Sequence, residues 1–239
     1  MECPKCGAEA LEPTAECASC GLIFAKYARR ESWRERSTSA VDDDAGEDVA
    51  GLLLGLDTPS SKPALIGRAV FLAVIILWTT SLASMSVSAG NMDSFMHLPN
   101  LVFHEAGHIL FSPLGRFMTV FGGSLTQVLV PLVCAGAFLW QTRDPFGASI
   151  AIWWAGQSLT DLAPYINDAR DLQLVLLGGK TGSEVEGHDW EYILNALGVS
   201  HRNHAIAHVV QIFGTLTMIA ALVWAALVVV NQWRSAKPQ

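Results

Sequence analysis

Two histidines and a glutamate, His104, Glu105 and His108, sit within the apolar run Leu101-Val-Phe-His-Glu-Ala-Gly-His-Ile-Leu-Phe111. On an α-helix, residues four apart share a face. Both imidazoles can therefore point at one metal ion while the adjacent carboxylate activates a zinc-bound water. This is the spacing that zinc hydrolysis needs. The setting strengthens the reading, because two histidines and a carboxylate are costly among apolar neighbours unless they are used.

A second metal-binding pattern opens the chain. Cys3-Pro-Lys-Cys6-Gly7 and Cys17-Ala-Ser-Cys20-Gly21 are two C-x-x-C-G knuckles with ten residues between them. Each knuckle offers two thiolates to one ion, and its glycine lets the backbone turn so that amides face the sulfurs. These four cysteines and two glycines resemble the zinc-ribbon modules common at the ends of bacterial proteins. No basic-then-apolar leader opens the sequence, so the thiols are expected to stay reduced and metal-bound rather than paired as disulfides. Such a site is closed and structural. It folds a segment too short to fold unaided and is expected to touch a protein partner or the chain's own membrane domain.

These sites lie in an unusually apolar chain. Hydrophobic residues make up 51% of the 239 and charged residues 15%, and the mean hydropathy is positive, as in multi-pass integral membrane proteins. The net charge of −7 owes much to Asp42, Asp43, Asp44, Glu47 and Asp48 and argues against a nucleic-acid partner. The expected organisation is a zinc ribbon at 1–28, a flexible acidic linker at 29–63 and a membrane domain carrying the histidine pair at 64–239. Residues 49–56 form a short apolar docking or interfacial segment within the linker. The expected fold is an all-α polytopic membrane domain with about five membrane helices, near 64–86, 98–113, 118–140, 146–166 and 205–230. In that scheme Lys62, Arg68, Arg116, Arg170, Lys180 and Arg202 lie inside, against Arg143, Arg234 and Lys237 outside. The excess of inside charge makes the N-terminus cytoplasmic.

Two histidines need a further protein ligand. The fourth expected span offers Asp161, Tyr165 and Asp168, whose spacings of four and three put them on one helical face. Pro164 bends that helix and frees a carbonyl, a disturbance tolerated where the backbone lines a cavity. Either aspartate can serve. Gly107, Gly122 and Gly123 join Pro164 as places where helices can part for water.

Three blocks resemble the site-2 protease class of intramembrane zinc metalloproteases, in a compact form without an inserted PDZ domain. His104-Glu105-Ala106-Gly107-His108 matches its zinc motif. Gly123-Ser124-Leu125-Thr126-Gln127 is similar to its Gly-Pro-x-x-Asn, with Ser124 and Gln127 in place of Pro and Asn. Asp161-Leu-Ala-Pro164 followed by Asp168 is similar to its Asn-x-x-Pro and downstream Asp-Gly, with Asp161 for Asn, the second Asp one residue early and Ala169 for Gly. The likeness covers about residues 95 to 170. It implies one catalytic and one structural Zn2+, Glu105 as the catalytic base, and His104 and His108 as ligands. Asp168 is then the favoured third ligand and Asp161 the reserve. It also implies a membrane-anchored protein substrate within the lipid bilayer and a bacterial inner-membrane location. The altered blocks leave room for a non-proteolytic relative that keeps the fold as a binding or regulatory module, and the seven histidines for a metal-handling membrane protein.

Three features lie outside those three blocks. His188 and Asp189 open a short amphipathic helix ended by Gly198; they could cover the site from the cytoplasmic side, and read more readily as a helix cap and solvated loop residues. His201, His204 and His208 share a face at the start of the last span and read as interfacial. Cys134 reads as a small buried hydrophobe.

Overall fold

The computed structural model describes residues 3, 5, 6, 8, 16–24, 26, 27, 49–56, 58, 60–84, 87 and 94–236. The acidic cluster from Asp42 to Asp48, Gly7 and Lys237 lie outside the described residues. The chain forms two compact units, residues 1–48 and 49–239. Among the described residues the structure is helical, with only two isolated β-bridges, Glu16 to Ile23 and Val175 to Thr181.

In the first unit the second knuckle turns as its sequence requires. The Cys17 N–H donates to Leu22 O and the Gly21 N–H to Cys17 O. Gly21 takes φ +70°, a conformation glycine adopts without steric cost.

The second unit runs α1 (Val49–Leu54), α2 (Lys62–Ala83), α3 (His97–Phe111), a 3-10 turn (Ser112–Leu114), α4 (Arg116–Trp140), α5 (Pro145–Asn167), α6 (Asp189–Ala196), a 3-10 turn (Ser200–Arg202) and α7 (Asn203–Ser235). Proline opens α2 and α5, where a missing N–H costs nothing. Gly115 at φ +90° separates α3 and its 3-10 turn from α4. Three helical segments are long and apolar enough to cross a membrane: α2, α4, and α7 with the turn before it. Their outer faces expose Val70 and Leu77, Leu132 and Val133, Phe213 and Leu216, which marks a membrane protein.

Helix α5 is the central post, with 16 of its 23 residues buried. It meets α7 at a crossing of two glycines. A Cβ on Gly156 would lie 2.8 Å from Gly214 O, and one on Gly214 would lie 2.6 Å from Gly156 O. Small residues at such crossings let backbones touch, which is how apolar helices gain packing where lipid is as apolar as they are. At the far end of α5, Asn203 Nδ2 donates to Asn167 O at 2.6 Å and His204 Nδ1 meets Asn167 Oδ1 at 2.8 Å.

The helix ends sort into two groups. Near the start of α2, Arg68 donates to Gln232 Oε1 near the end of α7 at 2.7 Å and to Asp144 in the α4–α5 turn at 3.1 Å. The α2 start, the α4–α5 turn and the α7 end therefore share one end of the bundle. The α2 end, α4 start, α5 end and α7 start share the other. Helix α3 joins the α2 end to the α4 start, so it enters and leaves at the same end. It is also short: 15 residues rise about 22 Å, against about 30 Å of hydrocarbon. The alternating five-span order expected from hydropathy does not fit this arrangement, because it put Arg68 opposite Arg143 and Arg234.

Replacing Gly214 by leucine should force α5 and α7 apart. Overpacking typically costs about 1–3 kcal/mol, and here the obstacle is backbone, so Gly214→Leu should lower the thermal unfolding midpoint in detergent. An unchanged midpoint would show that the crossing is not tight.

Candidate metal centre

Helix α3 carries His104 and His108 toward α4, and two glycines make the approach possible. A Cβ on Gly107 would collide with Gly122 O, and one on Gly122 would lie 2.8 Å from Gly107 O. Gly123 lies directly beneath the rings, since a Cβ there would stand 2.7 Å from both His104 Nε2 and His108 Nε2.

The hydrogen bonds fix which nitrogens of the two rings are bare. His108 Nδ1 lies 2.8 Å from Thr119 O. A carbonyl only accepts, so Nδ1 carries the hydrogen. His104 Nδ1 lies 3.1 Å from Gln127 Oε1. The Gln127 amide is oriented in turn, because its Nε2 faces Asp161 Oδ2 at 2.9 Å and Ser158 O at 3.5 Å, both acceptors. His104 therefore also carries its hydrogen on Nδ1. In its neutral form each ring therefore turns an Nε2 without a hydrogen the other way.

Both bare nitrogens face one carboxylate. Asp189 Oδ2 lies 2.9 Å from His104 Nε2 and 3.3 Å from His108 Nε2, and the three ligand atoms group within 4.8 Å. Lone pairs so arranged repel unless a cation or extra protons sit among them. Protonating both rings would put two imidazoliums 4.9 Å apart between centroids, whereas one divalent cation serves all three. Burial works against ionisation of Asp189, but the imidazoles outweigh it and hold its carboxyl below the ordinary value. The group fits a metal ion.

Asp189 is thus the carboxylate at the imidazoles, in place of the expected Asp168 or Asp161. Asp168 caps the end of α5, its oxygens accepting the Gln173 and Leu174 N–H groups at 2.9 Å each, with His188 Nε2 at 3.4 Å. Asp161 stands one layer behind the ligands. It accepts from Gln127 and from Asn100 Nδ2, the latter at 3.1 Å, and pairs with His97 Nδ1, also at 3.1 Å. Its charge reaches His104 through the Gln127 amide, which favours a fixed ring orientation. Asp189 is delivered by the start of α6. His188 caps that helix, its Nδ1 accepting the Glu191 N–H at 3.2 Å, as expected. The Asp189 N–H donates to Tyr165 Oη at 3.0 Å, and Trp190 Nε1 donates to Ser124 Oγ on α4 at 3.1 Å.

The ligands open on a cavity of about 630 Å³ that Glu105, His97, Tyr165 and Leu177 also line. Among the described residues no hydrogen bond or ion pair holds the half-buried Glu105 carboxylate. In the first unit the four cysteines form a separate group, with Cys3 Sγ 3.7 Å from Cys20 Sγ and Cys6 Sγ 3.9 Å from Cys17 Sγ. The Lys5 amide holds the Cys3 thiol down to about 6, while burial pushes Cys20 up to about 12. Four sulfurs at these spacings fit a metal ion, which would hold them together as thiolates. Compared with protein-family models, with curated proteins and with solved structures, the chain matches none.

Sequence reasoning missed His97 and Asn100. Both were within its reach: His97 lies seven residues, two helical turns, before His104 and so on the same face. Asp189 was read as a loop residue, since nothing local ties it to α3.

Gly123→Ala should push both rings aside and remove one metal ion per chain, measured by elemental analysis of purified protein, while Cys6→Ser should remove the other. Gly123→Ala with unchanged metal content would overturn the packing argument.

Proposed function

We propose that this chain is an intramembrane zinc metallopeptidase that hydrolyses peptide bonds in membrane-anchored proteins. One observation carries the reading. Two imidazoles with both Nδ1 hydrogens committed outward meet Asp189 in a cavity that an untethered Glu105 also lines. Zinc suits the donors. Bonds of about 2.0–2.1 Å to nitrogen and oxygen give a tetrahedron edge of about 3.3 Å, and zinc–sulfur bonds of about 2.3 Å give about 3.8 Å. The spacings of 2.9 and 3.3 Å in one group, and of 3.7 and 3.9 Å in the other, lie near these edges. The cysteine group is then a structural zinc ribbon, with a protein partner as its expected contact.

Bound among His104, His108 and Asp189, zinc supplies Lewis acidity toward a carbonyl oxygen and lowers the pKa of water toward neutrality. Glu105 takes the proton of the attacking water and returns it to the leaving amine. Thr119 and the Gln127–Asp161 pair hold the imidazoles in the required tautomer. Leu101, Leu162 and Leu177 give the cavity an apolar wall suited to an apolar substrate segment, and the polar side supplies water.

In the membrane, α2, α4, α5 and α7 cross and α3 is re-entrant, four crossings in place of five. Among the described residues Lys62, Arg68, Arg143 and Arg234 then share one end, against Arg116, Arg170, Lys180 and Arg202 at the other. Four against four orients nothing, so a cytoplasmic N-terminus rests on the reduced cysteines alone.

Glu105→Gln should keep both zinc ions and lower cleavage of membrane-anchored candidate proteins by about 10²- to 10⁴-fold, the usual worth of a general base. Cleavage unaffected by Glu105→Gln would remove the peptidase reading. Full zinc occupancy in a wild-type protein that cleaves none of them would favour a binding module.

A further inference from the structure

One polar hydrogen in the cavity has no part in the chemistry described so far. Tyr165 lies one turn beyond Asp161 on α5, its ring edge-on to His104 at 6.2 Å between centroids and against His188 at 4.3 Å. Its oxygen accepts the Asp189 N–H at 3.0 Å. A phenol that accepts in this way still has its own hydrogen to give, and no described residue takes it. Tyr165 lines the cavity together with His104, Glu105 and Asp189. A donor left unmatched in a partly apolar site is costly unless something enters to accept from it.

We propose that Tyr165 is a catalytic residue whose hydroxyl donates a hydrogen bond to the oxyanion that develops at the scissile carbonyl. The inference rests on the hydrolytic reading and adds a named donor to it. When water adds to the carbonyl carbon, its proton passes to Glu105, the new carbon–oxygen bond forms, and the carbonyl π pair moves onto oxygen. The phenol meets that charge and loses no proton itself. A hydrogen bond to a full negative charge is stronger than one to the neutral carbonyl, so the contact favours the transition state over bound substrate. Position follows from the chain: the phenol oxygen is tied to the backbone of the residue whose side chain completes the metal group, so donor and ligand are set together.

The test uses the zinc-loaded full chain in detergent, wild type against Tyr165→Phe, with two small probes followed by calorimetry. Phenylphosphonate presents a tetrahedral oxyanion. Imidazole ligates zinc through nitrogen and presents none. The expected result is phenylphosphonate binding weakened about 10- to 100-fold in Tyr165→Phe, as for a lost hydrogen bond to a charged group, with imidazole binding and zinc content unchanged. The two unchanged quantities report that the variant is folded and its metal group intact. Equal weakening of both probes, or loss of zinc, would mean that Tyr165 only holds Asp189, and would overturn the proposal. No change in either probe would overturn it as well. A wild-type protein that holds zinc but binds neither probe has no open position on the ion, which removes the hydrolytic reading and this inference with it.

Discussion

Two imidazole Nε2 atoms and a carboxylate oxygen converging on one point is an arrangement that pays an electrostatic penalty unless a metal cation or added protons lie among them. The rest of the second unit is arranged to impose it. Thr119 and Gln127 leave the rings no other tautomer. Asp161, buried on the central helix, orients the Gln127 amide and is itself held by Asn100 and His97. Gly107, Gly122 and Gly123 remove the side chains that would keep α3 away from α4 or fill the space under the rings. Each of these features is costly by itself, whether as a buried carboxylate, a bare glycine in a helix or an amide fixed at both ends. Together they make sense as one support for a charged centre.

The placement of α3 follows from the same logic. A helix that crossed the bilayer fully would have its neighbours in sequence at opposite ends of the bundle, but Arg68, Asp144 and Gln232 show that the flanking helix ends coincide. An element that enters and leaves on one side can carry polar residues to an intermediate depth while staying near water. Its outward face, with Leu98, Val102, Ile109 and Leu110 exposed, suits hydrocarbon, and its inward face carries His97, His104, Glu105 and His108 along the cavity. A short amphipathic helix at one end of a bundle meets both demands, an apolar outer face and a polar inner one.

What the sequence disclosed was whatever local spacing encodes. The histidine pair, the adjacent glutamate and the cysteine knuckles need only helix periodicity or a tight turn, and each group assembles as its spacing predicts. Gln127 was drawn into the site by resemblance and Asp161 already by its helical spacing, but both stand behind the imidazoles, Asp161 bonded to the Gln127 amide that faces His104. Asp189 was illegible because its position depends on two long-range bonds, from its N–H to Tyr165 and from Trp190 to Ser124, neither of which leaves a periodic mark. Asp168 misled for a related reason: a carboxylate at a helix end satisfies nearby amides as readily as a metal, and sequence alone does not say which. The order of crossings failed because hydropathy measures length and apolarity, while the side on which a helix ends depends on what its ends touch.

The distribution of ligands over the fold has a physical consequence. His104 and His108 come from a helix wedged against α4, whereas Asp189 comes from the first residue of an eight-residue helix reached through a long connection from α5. Isolated helices of that length are not stable in water, so α6 owes its place to what it touches. Those contacts are the buried Ile193 and Leu194, the latter clustered with Leu162 and Ile166, the Asp189–Tyr165 and Trp190–Ser124 bonds, the stacking of Arg116 on Tyr192 at 4.7 Å, and the Asp189 carboxylate between two imidazoles. A cation at that point adds its binding energy to the docking of α6, because any ion that binds the assembled group and not the parted one stabilises the assembled state. Binding of a cation at the group and seating of α6 beside the cavity therefore favour each other, with the buried Ile193 and Leu194 contributing to the seating independently of the ion.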